Sequence, residues 1–90
     1  MEALKEFRNF PGINEAWELI KTGFVVIHEQ SYRLELWHSY SNLDIPYYVS
    51  VYVQADGVWR KMQDPIFPIG LDADQTMREA MAFLSERLAA

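Results

Sequence analysis

No cysteine occurs in the chain, which excludes a disulfide scaffold, a thiolate metal site and a cysteine nucleophile. Glycine is sparse, and Gly12, Gly23, Gly57 and Gly70 stand apart as turn punctuation, so no glycine-rich phosphate loop is present. Positive charge is short as well. Eight Lys and Arg face 13 Asp and Glu for a net charge of −5, and only Arg60 and Lys61 are adjacent basic residues. Binding to phosphate backbones relies on clustered Lys and Arg that displace counterions, so nucleic acid and anionic membrane surfaces are not expected partners. No stretch approaches the roughly 18 apolar residues of a membrane span. The opening Met1 to Glu6 is charged and helix-forming, with no apolar signal core behind it, so a cytoplasmic location is expected.

What is present is apolar and aromatic mass. Half of the 90 residues are hydrophobic and 14% are aromatic, enough for one domain core spanning residues 1–90. A chain this short buries only about 60–65% of its unfolded surface, so a dimer contact would add useful stability.

Residues 2–9 read as a short, loosely packed helix with Ala3, Leu4 and Phe7 on one side, ended by Pro11-Gly12. Asn14 as N-cap, apolar residues at 16, 19 and 20, and Gly23 as a C-terminal stop predict a second helix over 15–22. From Phe24 the period changes to two. Strands are expected at 24–27, 32–40, 47–54 and 58–63, with Asp56-Gly57 as a two-residue hairpin turn. Short connections make the sheet an antiparallel meander. The segment 64–71 is apolar but proline-broken, which excludes a central strand. It is expected to tuck Ile66, Phe67 and Ile69 under the last helix, or else to form a rim that pairs with another chain. Asp72 and Gln75 form a capping-box variant. Behind them Met77, Ala80, Met81, Leu84 and Leu88 repeat at helical spacing.

The expected fold is therefore α+β, a two-layer sandwich. It has a four-stranded antiparallel meander, one or two N-terminal helices and a C-terminal helix. The order is similar to that of double-stranded-RNA-binding domains, but their basic patch and loop are absent, so the likeness implies nothing about function.

Register carries the reading further. A turn at Gln30-Ser31 sets Phe24 opposite Trp37, and a symmetric loop 41–46 sets Trp37 opposite Ser50 and Glu35 opposite Tyr52. One face then holds Val25, Ile27, Leu34, Leu36, Val49, Val51, Val53 and Met62, the natural core under the C-terminal helix. The other holds Phe24, Arg33, Glu35, Trp37, Tyr48, Tyr52, Trp59 and Lys61, with Val26, His28 and Gln54. Solvated sheet faces are seldom so aromatic, and Tyr and Trp suit interfaces. Three roles stay open for this face: a core under the N-terminal helix, a homodimer contact face to face or edge to edge, or a surface for another partner or ligand.

Catalytic chemistry finds little footing. His28 and His38 fall on opposite faces, against a shared metal site. Asp72 and Asp74 suit a helix start, and Ser39, Ser41 and Ser50 lack an activating context. A Glu35–Tyr52–Lys61 row is an ordinary cross-strand arrangement. No catalytic residue, metal or cofactor is expected. The first expectation is a non-enzymatic interaction or regulatory module acting as a homodimer. The alternative is a small-molecule-binding protein or minor enzyme, with Trp37, Tyr48, Tyr52 and Trp59 walling a pocket beneath the N-terminal helix. An acidic mimic of nucleic acid ranks third, because no long acidic run exists.

Overall fold

A computed structural model describes residues 2–42, 44, 46–62, 67–70 and 72–88. A short helix α1 (Glu2–Lys5) and a 3₁₀ turn (Phe7–Asn9) precede strands β1 (Trp17–Ile27), β2 (Gln30–Ser39), β3 (Tyr47–Ala55) and β4 (Val58–Lys61). A short strand β5 (Phe67–Gly70) and helix α2 (Ala73–Leu88) complete the order. The first four strands form an antiparallel meander, and β5 joins the same edge of β3 as β4. The fold is α+β, with α2 laid on one face of the sheet against β3 and β5. Among the described residues no helix is long and apolar enough to cross a membrane.

The expected helix over 15–22 is replaced by the first half of β1. Eight residues are marginal for an isolated helix, whereas as a strand they extend the ladder against the C-terminal half of β2. Trp17 pairs with Ser39 and Leu19 with Trp37, and the register then shifts between Leu19 and Lys21. This bulge explains the misreading. One extra residue converts the alternation of Trp17 and Leu19 into the spacing 16, 19, 20, which mimics a helical stripe.

The two-residue turn joining β1 to β2 lies at His28-Glu29, with φ of 49° and 67°, rather than at Gln30-Ser31. Left-handed backbone at both positions is what a hairpin with right-handed strand twist needs. Asp56-Gly57 meets the same demand with φ of 53° and 78°, as expected. The resulting pairs are Phe24 with Arg33, Trp37 with Tyr48, Glu35 with Ser50 and Arg33 with Tyr52. Relative to the expected register, β1 is displaced by four residues and β3 by two. Both slips are even, so the paired strand side chains stay on their expected faces, whereas His28, expected on the aromatic face, lies in the turn.

The core lies between the sheet and α2: Tyr32, Leu34, Leu36, Val49 and Val51 pack with Ala80 and Leu84, flanked by Val25, Ile27, Val53, Met62 and Met77. Asp72 caps α2, its Oδ1 accepting from the backbone N–H of Asp74 (2.9 Å) and of Gln75 (3.4 Å). Thr76 is buried and donates its hydroxyl to the Asp72 carbonyl at 2.8 Å. Met81, expected in the core stripe, is 48% exposed. Because α2 sits over β3 and β5, a cleft of about 180 Å³ opens between Met81, Leu84 and Ser85 on the helix and Val25 and Ile27 on β1. The Phe67–Gly70 part of the proline-broken segment is β5, an edge position where proline is tolerated. The expected burial of Ile66, Phe67 and Ile69 lies outside the described residues.

Candidate functional site

The face of the sheet opposite α2 is built by alternation along four strands. Phe24 of β1, Arg33, Glu35 and Trp37 of β2, Tyr48 and Tyr52 of β3, and Trp59 of β4 all project from it, as their cross-strand pairing requires. Lys61, opposite Tyr52, is exposed at its margin. The expected Glu35–Tyr52–Lys61 row is instead a Phe24–Arg33–Tyr52–Lys61 row, with Glu35 beside Ser50.

At the centre lies Arg33. Its guanidinium carbon sits 4.3 Å from the Tyr52 ring centre and 5.1 Å from that of Trp59, a cation stacked on two π faces. Phe24 and Trp59, from the two outermost strands of the meander, approach to 5.8 Å between ring centres at 49°. They bridge the intervening strands, and Arg33 is covered accordingly. Arg33 Nε stands 3.4 Å from Glu35 Oε2. That distance makes an ion pair but falls outside hydrogen-bond geometry, so the buried Nε has no hydrogen-bond partner. A second cluster stacks Trp37 on Tyr48, with ring centres 6.3 Å apart and planes at 10°.

These packed rings shift their own chemistry. Burial raises the pKa of the Tyr52 phenol, the Glu35 carboxylate and its hydrogen bond raise it further, and Arg33 pulls the other way. Burial likewise raises Tyr48, aided by Tyr52 and Glu35. Both phenols therefore stay neutral and able to donate a hydrogen bond across the physiological range.

The outer margin of this face is apolar and open. Phe24 is 64% and Val26 68% exposed, and Trp17 and Leu19 continue the same side of β1 at 45% and 42%. Trp17 and Leu19 went unrecognised as face residues because the helical reading of 15–22 hid them; the alternation Trp17-Glu18-Leu19 was the available signal. The N-terminal helix does not cover the Phe24–Val26 end. Instead α1 packs with the 3₁₀ turn, and an apolar groove of about 400 Å³ runs between them and Ala16-Trp17. Leu4, Phe7, Phe10 and Ile13 line it, with Glu15 adding a charge; Trp37, Tyr48, Tyr52 and Trp59 do not.

Other polar candidates have structural partners. Ser39 Oγ accepts from the backbone N–H groups of Ser41 and Asn42, both at 3.2 Å, and Ser41 Oγ accepts from that of Ala16 at 3.1 Å. His28 occupies the first hairpin turn, whereas His38 lies on the side facing α2, edge-on to Tyr40 at 4.4 Å and tilted on Tyr47 at 4.9 Å. Among the described residues no three His, Asp or Glu side chains converge as a metal site would require.

No protein-family model matches the chain, and no curated protein or solved structure is significantly similar to it.

Proposed function

We propose that this protein is a non-enzymatic interaction module that self-associates as a homodimer, using the aromatic face of its sheet. The observation that carries this reading is the contrast within that face. Its centre is pre-ordered by the Arg33–Tyr52–Trp59 stack, while its β1 margin leaves Phe24 and Val26 about two-thirds in solvent. Rigid aromatic surface is cheap to bury, because little side-chain freedom remains to be lost on association. Contiguous apolar exposure at a sheet margin is characteristic of a contact surface. The acidic net charge of −5 keeps the free chain soluble and disfavours indiscriminate association.

Phe24→Arg tests the reading, followed by mass in solution and by far-UV circular dichroism. Loss of the dimer with a native spectrum supports a contact face. Phe24 is exposed enough to fold with arginine in place, so a Phe24→Arg chain that folds and keeps its dimer would remove the open margin from the contact.

A further inference from the structure

The geometry points to the manner of self-association: two copies join edge to edge through β1, antiparallel and centred on Val25. The inference rests on the homodimer reading and specifies its contact.

β1 is the terminal strand of the meander, and among the described residues it pairs only with β2. Natural sheets blunt such edges with charges, prolines or bulges. The first half of β1 is blunted by the register shift between Leu19 and Lys21, with Glu18 and Lys21 beside it. The second half, 22–27 (Thr-Gly-Phe-Val-Val-Ile), is regular and carries neither charge nor proline. In a two-residue hairpin the closing pair, here Ile27 and Gln30, is hydrogen-bonded, and bonded pairs alternate along the ladder. Thr22, Phe24 and Val26 consequently turn their N–H and C=O groups away from β2, toward the open edge.

A twofold antiparallel pairing must set residues of one face opposite residues of the same face, which restricts the register to steps of two. Centred on Gly23, it sets Lys21 against Val25 of the second copy. Centred on Phe24, it sets Lys21 against Ile27. Either way a charge meets an apolar side chain. Centred on Val26, it sets Glu29 against Gly23 and leaves Lys21 unmatched. Centred on Val25, it sets Phe24 against Val26 twice, uniting the two most exposed large apolar residues among those described. It also brings Lys21 level with Glu29 at both ends, an opposite-charge match repeated by symmetry. The outward N–H and C=O groups of Phe24 and Val26 fall opposite one another, as a bonded pair requires. The aromatic faces of the two sheets then become one surface.

A charge swap tests the register, read as the dimer dissociation constant by sedimentation equilibrium. Lys21→Glu and Glu29→Lys each create two like-charge pairs and should each weaken the dimer by roughly tenfold. The double variant K21E/E29K, whose net charge equals that of the unmodified chain, should restore it. Val26→Pro removes an outward N–H without disturbing the β1–β2 ladder, and should give a folded monomer. If the single variants keep the dimer intact, or the double variant fails to restore it, this edge register is wrong while the homodimer reading stands. An unmodified chain that is monomeric at every concentration overturns both.

Discussion

Arg33→Met isolates what holds the aromatic face together. Methionine retains most of the apolar stem of arginine, so the change removes the planar cation and little packing. Two π contacts at 4.3 and 5.1 Å are lost, each worth about 0.5–1 kcal/mol at a partly covered site. The ion pair to Glu35 goes as well. Its side chains keep 24% and 14% of their exposure and its geometry is not a hydrogen bond, so it adds at most about 1 kcal/mol. The expected loss is about 2 kcal/mol, a midpoint lower by roughly 8–16 °C for a domain of this size. Urea unfolding followed by tryptophan fluorescence and circular dichroism measures it. A double-mutant cycle with Glu35→Gln should show coupling of about 1 kcal/mol. A loss under about 0.5 kcal/mol, the range of ordinary surface changes, would mean that Arg33 is a spectator and the face is not a packed unit.

Leu84→Ala, at a side chain 1% exposed in the centre of the core, should destabilise by roughly 3–4 kcal/mol in the same assay. Glu29 holds φ at 67°, so Glu29→Gly should relieve left-handed strain and raise stability by about 1 kcal/mol, measured at a concentration where the chain is monomeric. The Tyr48 and Tyr52 phenols have raised pKa values, so the native state holds their protons more tightly than the unfolded chain does. The stability this contributes is complete below the ordinary tyrosine range near pH 10 and is lost as pH rises through the native values. Spectrophotometric titration should show a late phenolate component, and Glu35→Gln should bring the Tyr52 part of it earlier.

Much of this architecture is legible in the sequence, for identifiable reasons. Strands β2 and β3 alternate cleanly, Asp56-Gly57 carries its own turn chemistry, and Asp72 with Gln75 announces α2. The membership of each sheet face was readable although two registers were misplaced, because even slips preserve facing. The misses share one cause: local signals that tertiary pairing overrides. The bulge near Ile20 disguised a strand as a helix, and a turn built from His28 and Glu29 lacks the glycine or asparagine that marks such turns. Met81 sits at ideal core spacing, yet the placement of α2 over β3 and β5 leaves it beside an open cleft, which periodicity along one helix does not encode. For the site, residue types identified the aromatic face. The Arg33 stack at its centre depends on the true register, which sets Arg33 rather than Glu35 opposite Tyr52.

The most direct measurement is the mass of the unmodified chain in solution, by light scattering across a wide concentration range. A mass that rises to twice the chain mass of 10.6 kDa with concentration is the expected result. A single-chain mass at all concentrations would contradict it.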